Sequence, residues 1–224
     1  MTTLTPANQL TLLRMLLIPA FVILVVYGHV GWALVVFVTA GVTDGLDGLR
    51  ARSALARLPA EYRAIDQAAQ ITRAELAALI GIRLGSLLQG AQRSGDAALI
   101  TDVRNHWAAT WIMSVARAGV MDPFANHAFQ PRAVVRRTDL AQALARLLAR
   151  VAAENPARAK SWESARVTFS DLSPSHLAYP AASVAVAAGV LKTAGENGFQ
   201  PSRPVTGAEA IEAVSKIEAL AGPR

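Results

Sequence analysis

An internal repeat constrains this chain more than any other feature. Asp102-Val103 and His106-Trp107 return as Asp171-Leu172 and His176, Ala118-Gly119-Val120 as Ala188-Gly189-Val190, and Phe129-Gln130-Pro131 as Phe199-Gln200-Pro201. Asp139, in Val135-Arg136-Arg137-Thr138-Asp139-Leu140, returns as Glu209 in Val205-Thr206-Gly207-Ala208-Glu209-Ala210, and the offset is 69 to 70 residues throughout. Ile71-Thr72-Arg73-Ala74-Glu75-Leu76 repeats that last element again, without its first half. Sequence recurring at a fixed period builds one supersecondary unit several times, and units too small to bury their own apolar stripe pack on one another. The reading is a half copy at 68–84 and copies at about 100–152 and 168–220, inside a helical module covering 60–224.

Each full unit reads as a helix pair. Asp102 and Asp171 stand where a helix N-cap belongs, ahead of apolar-periodic segments (Trp107, Ile112, Val115, Ala116; then Ala182, Val184, Val186). Gly119 and Gly189 stop that helix by supplying a left-handed residue. Phe-Gln-Pro follows as a short extended link, since proline restricts the residue before it. The second helix opens at a polar residue with Asp or Glu in its first turn, where the positive helix end favours a carboxylate. Its Leu140, Ala143, Leu144, Leu147 and Leu148 recur at helical spacing. Trp107 and Trp111 share one face of the first helix and read as core or interface. Gly90–Ala97 and Ala152–Ala165 read as loops between copies.

This pattern resembles the S-layer homology module, whose copies run D-V-x-x-H-W-A, then A-x-x-x-G-V, F-x-P and I-T-R-A-E. The likeness covers roughly residues 68–220, and Ile71–Glu75 matches the last element in full. The resemblance implies three copies in a pseudo-threefold bundle that binds acidic cell-wall polysaccharide, with the arginine of the T-R-A-E element among the contacts. By position those arginines are Arg73 and Arg137, while Gly207 stands there in the last copy. A guanidinium fork suits a sugar carboxylate. Both residues read equally as exposed arginines at the start of a helix.

The first 56 residues are of another kind. Leu10 to Tyr27 is an apolar run of 18 residues with one charge, Arg14; at 1.5 Å per residue it reaches about 27 Å, enough to span a thin hydrocarbon core. Gly28-His29-Val30-Gly31 reads as a turn, and a second apolar run from Trp32 to Val42 must continue as helix toward Ala56 to span. Arg14, Arg50, Arg52 and Arg57 flank this hairpin while its turn is uncharged, which places both ends in the cytoplasm. Met15–Val26 also fits the apolar core of a signal peptide, but no convincing small-x-small cleavage site follows it before the second apolar run.

Directly after the second run comes Asp44-Gly45-Leu46-Asp47-Gly48-Leu49-Arg50-Ala51-Arg52. Carboxylates at i and i+3 share a helix face, an adjoining glycine leaves backbone open, and arginines supply fixed charge. Such a set suits a divalent cation holding a diphosphate; it also reads as a charged cap that stops a membrane helix. The segment spells D-x-x-D-G-x-x-A-R and, with Pro6, Asn8, Leu10, Thr11, Arg14 and Pro19, resembles the CDP-alcohol phosphatidyltransferases, especially the phosphatidylglycerophosphate synthases among them, over about residues 4–52. The resemblance implies an integral protein of the bacterial inner membrane that moves a phosphatidyl group from CDP-diacylglycerol to an alcohol such as glycerol 3-phosphate. It implies Asp44 and Asp47 as ligands of Mg²⁺ or Mn²⁺, and Gly48 and Arg52 at the cytidine diphosphate. The family's motif continues with G-x-x-x-D-x-x-x-D, whereas here Ser53–Glu61 follows and Asp66 is succeeded four residues on by Gln70. The second aspartate pair, which would carry a further ligand and the general base, is therefore missing, and no catalytic residue is assigned.

Composition narrows the remaining classes. The net charge is +6, but the arginines are scattered rather than gathered, which gives solvated faces and no nucleic-acid footprint. There is no cysteine, hence no disulfide or thiolate chemistry. His106, His127 and His176 show no metal-ligand spacing, and no serine has a paired histidine and carboxylate. The expected fold is mainly α: an N-terminal transmembrane helical hairpin followed by a soluble helical repeat module. Two functions are carried forward: an incomplete phosphatidyltransferase-like membrane protein, and a membrane-tethered, non-enzymatic binder of cell-wall glycan. The first belongs on the cytoplasmic side and the second outside. Either the apolar run is a simple signal-anchor, or the chain joins pieces of two unrelated proteins just after Arg52.

Overall fold

A computed structural model of the chain describes residues 57–89 and 100–222, together with residues 19, 21–28, 31–32, 34–36 and 38. The chain divides into two units, Met1–Leu58 and Pro59–Arg224. In the first, residues 21–26 are helical, the chain turns at Tyr27–Gly28 with Gly28 at a left-handed φ of 74°, and helix resumes at 31–32. Val26, Tyr27 and Trp32 are exposed there. Among the described residues no helix is long and apolar enough to cross a membrane.

The second unit is mainly helical. Its helices are α1 (Ala60–Ala64), α2 (Arg73–Arg83), α3 (Gly85–Gln89), α4 (Ala109–Arg117), α5 (Arg137–Glu154), α6 (Pro156–Ala159), α7 (Tyr179–Ala187) and α8 (Gly207–Ala221), with a 3₁₀ turn at Ile65–Gln67. Three extended β-branched residues hold its centre. Ile71 N–H donates to Val205 O, Val205 N–H to Val135 O and Val135 N–H to Ile71 O, each at 2.9 Å. The three side chains are fully buried. A buried amide without a partner is costly, so this closed triangle satisfies three segments that form no regular sheet. Two residues past each corner a long helix begins: α2, α5 and α8. Their starts are fixed locally. Thr72 and Glu75 form a reciprocal capping box on α2, Asp139 accepts from Arg136 N–H at the start of α5 (2.9 Å), and Thr206 caps α8 through Glu209 N–H (3.2 Å).

Outer elements cover these helices: α4 packs on α2, α7 on α5, and the 3₁₀ turn on α8. The core runs continuously through all of them, and Phe129, Phe199, Leu140, Leu144, Leu147 and Ile217 are wholly buried. At about 1.5–3 kcal/mol per large apolar side chain removed from water, this shared core is what the separate helix pairs lack.

Gly119 and Gly189 end α4 and α7 as the repeat predicts, at φ 64° and 71°. Gly119 N–H donates to Ala116 O and Val120 N–H to Val115 O, both at 2.9 Å, and Gly189 and Val190 repeat the arrangement, which is the Schellman ending. Three expectations are corrected. Asp102 and Asp171 cap no helix; the N-caps are Ala108 and Ala178, and neither makes a side-chain cap bond. The Phe-Gln-Pro link is not extended, because Gln130 and Gln200 take φ of 55° and 57°. Ala152–Ala165 is not all loop, since α5 runs to Glu154 and α6 follows. The predicted loop Gly90–Ala97 lies outside the described residues.

Candidate functional site

The corrected role of the aspartates opens the site. Asp102 accepts from Phe129 N–H (2.8 Å) and Gln130 N–H (2.7 Å), and Asp171 accepts from Phe199 N–H (2.6 Å) and Gln200 N–H (2.7 Å). A non-glycine residue with positive φ is strained by about 1–3 kcal/mol unless its surroundings hold it. A carboxylate taking two consecutive amides is such a hold, and it aims the preceding carbonyl, that of Phe129 or Phe199, toward the neighbouring helix start.

An arginine meets each of those carbonyls. Arg73, first residue of α2, donates from Nε to Phe129 O (2.8 Å) and from Nη2 to Asp122 O (2.9 Å). Its guanidinium carbon lies 4.8 Å from the Phe124 ring and 4.5 Å from the Phe129 ring. Arg137, first residue of α5, donates from Nε to Phe199 O (2.6 Å), from Nη2 to Lys192 O (2.8 Å), and from Nη1 to Glu209. It is 3% exposed, whereas Arg73 is half-buried. Burial lowers the pKa of both guanidiniums; nearby Asp139, Asp102 and Asp122 oppose this at Arg73, and Glu209 opposes it at Arg137. Neither arginine is thus an exposed helix opener: both are latches between one copy and the next.

The third position lacks the latch. Gly207 opens α8, and a Cβ there would lie 1.5 Å from Ile65 O. Ile65 stands eight residues before Arg73, as Phe129 does before Arg137 and Phe199 before Gly207, so the first copy begins at the 3₁₀ turn, earlier than its spelling shows.

Asp102, Asn105, His106, Gln130, Pro131, Arg132 and Ala133 line an open groove of about 620 Å³ over the clamped segment. His106 Nδ1 accepts from Ala108 N–H (3.2 Å). Burial lowers the His106 pKa, Arg132 lowers it further, and Asp102 and Glu61 raise it. The groove therefore sets the fixed charge of Arg132 beside the His106 imidazole and the side-chain amides of Asn105 and Gln130, groups that can hydrogen-bond a polar ligand. Among the described residues no three histidines and carboxylates gather as a metal site. Asp44, Asp47, Gly48 and Arg52 lie outside the described residues.

Sequence reasoning missed Glu209 and Arg203 as a pair: Arg203 Nη2 donates to both Glu209 oxygens, at 2.9 and 2.8 Å. The acid at the third helical position was visible, but nothing local told that it turns away from its own helix start.

No curated protein matches the chain. Residues 4–57 match the family model of the CDP-alcohol phosphatidyltransferases, and residues 99–141 and 168–211 match that of the S-layer homology domain, so the chain carries segments similar to two families.

Proposed function

We propose that the unit Pro59–Arg224 is a non-enzymatic module binding an acidic cell-wall polysaccharide. The observation that carries this reading is the half-buried Arg73 guanidinium, fixed by two carbonyls and two aromatic rings. Preorganised guanidinium recognises carboxylate with little ordering cost. The match to the S-layer homology family at 99–141 and 168–211 supports the same reading. The test is co-sedimentation of the full chain with purified bacterial cell-wall polysaccharide. Wild type is expected in the pellet, and Arg73→Gln in the supernatant with its melting transition retained; equal pelleting of the two overturns the reading.

A second reading rests on the match at 4–57. In it the N-terminal segment is a membrane hairpin whose Asp44 and Asp47 hold Mg²⁺ or Mn²⁺, with Gly48 and Arg52 binding the cytidine diphosphate of CDP-diacylglycerol, at the bacterial inner membrane. Because the second aspartate pair is missing, this half-site retains lipid-nucleotide binding and does not transfer a phosphatidyl group. Metal-dependent CDP-diacylglycerol binding that disappears in Asp47→Ala is the expected result; binding that is indifferent to metal or to that substitution overturns it.

A further inference from the structure

We infer that Glu209 is a built-in substitute for a ligand carboxylate at Arg137, so that Arg73 alone of the helix-opening arginines is left open to an anion. This rests on the polysaccharide reading above and extends it to the number and identity of the anion sites.

The argument comes from comparing equivalent positions. Arg137 pairs with Glu209, the first-turn acid of the next helix, and Asp139, the equivalent acid for Arg73, is the foremost of the charges that oppose the lowering of its pKa by burial. Both arginines use two arms on equivalent backbone, Phe199 O and Lys192 O in one case, Phe129 O and Asp122 O in the other. The third arm differs. At Arg137, Nη1 donates to Glu209, whose carboxylate Arg203 also grips. At Arg73, Nη1 has no hydrogen bond among the described residues.

The cause is the second arginine: Glu75, as long as Glu209 but with Ala69 where Arg203 stands, folds back onto Thr72 N–H at 2.6 Å. Asp139 is shorter than Glu209 and folds back onto Arg136 N–H at 2.9 Å. Ala133, moreover, stands where Arg203 does in the next copy. The acids nearest Arg73 are otherwise engaged: Asp102 by two amides, and Asp122 by Arg146 at 2.8 Å. Phe124, 45% exposed, lies against the same guanidinium and offers a sugar ring an apolar face. At the remaining corner Gly207 has no side chain and Ile65 O fills the space. The site thus takes one carboxylated sugar per chain.

The test follows arginine Nε–H resonances of the full-length chain during titration with D-glucuronate. Arg73 is expected to shift saturably and Arg137 to stay still. Asp139→Glu combined with Ala133→Arg, which rebuilds beside Arg73 the pair that Glu209 and Arg203 form, weakens the Arg73 response about tenfold, the effect of pre-empting one charge-assisted hydrogen bond. Glu209→Gln, which removes the substitute charge, makes Arg137 responsive. An unmoved Arg73 in wild type, a responsive Arg137 in wild type, or an Arg73 affinity unchanged by the Asp139→Glu, Ala133→Arg pair each overturns the inference. If Arg73 takes glucuronate while the chain ignores wall polysaccharide, the polymer reading falls and this one stands.

Discussion

Beside α2, the seam with α4 is closed by indoles: Trp107 and Trp111 meet edge-on at 6.0 Å, and Trp111 sits so close to Gly81 that a Cβ there would meet it at 2.8 Å. Beside α5, the equivalent seam with α7 has Leu177, 95% exposed, and Ala181 in those places, and Ala145 where Gly81 stands. An open hollow remains there, lined by Ala145, Ala181, Val184 and Pro180. Yet the two backbones share their irregular features: clamped glutamines at φ 55° and 57°, His127 and Asn197 at 58° and 64°, and Schellman glycines. The repeat is held by satisfaction of main-chain groups, while the fill between helices varies.

The comparison breaks most visibly at the shared core. Phe129→Ala and Phe199→Ala should each cost about 3–5 kcal/mol by urea denaturation, and a marked inequality would mean that the seams, not the backbone, set copy stability. Asp102→Ala and Asp171→Ala should follow at about 2–3 kcal/mol, since each leaves two amides without their acceptor and a strained glutamine without its hold. Gly81→Ala should cost about 1–3 kcal/mol through overpacking against Trp111. In a Trp111→Ala background the same change should stabilise by about 0.5–1 kcal/mol, because alanine is the better helix former.

The smallest effect concerns pH. Burial holds the folded His106 pKa below its ordinary value, so the unfolded chain binds a proton there more readily. Its contribution to stability is full above about pH 6.5 and shrinks as pH falls toward the folded pKa. Melting temperature measured from neutral to mildly acidic pH should therefore drop less in His106→Gln than in wild type.

Much of this fold is written locally. The helix pairs follow from apolar spacing, and Gly119 and Gly189 from the need for a left-handed stop. The aspartate clamp is not, because the amides it satisfies stand 27 to 29 residues further on, and a cap or a clamp both need an aspartate ahead of an apolar stretch. Ile65 was invisible as the counterpart of Phe129 because Ile65-Asp66-Gln67 does not spell Phe-Gln-Pro; only its spacing to Arg73 carried the signal. Of the site, Arg73 and Arg137 could be placed by position. Their difference could not, since it turns on whether a first-turn carboxylate folds back onto its own helix start or reaches across to another copy.

The triangle of Ile71, Val135 and Val205 also sets how such a chain can vary. A solenoid adds or loses repeats at its ends, because each contacts only its neighbours. A ring closed by three backbone hydrogen bonds has no end to extend, and deleting any corner strands a donor on one segment and an acceptor on another. Duplication or loss of a single repeat is therefore closed to this unit: it can change in number only as a whole, and its three corners should exchange their amide hydrogens together, at the rate of global unfolding.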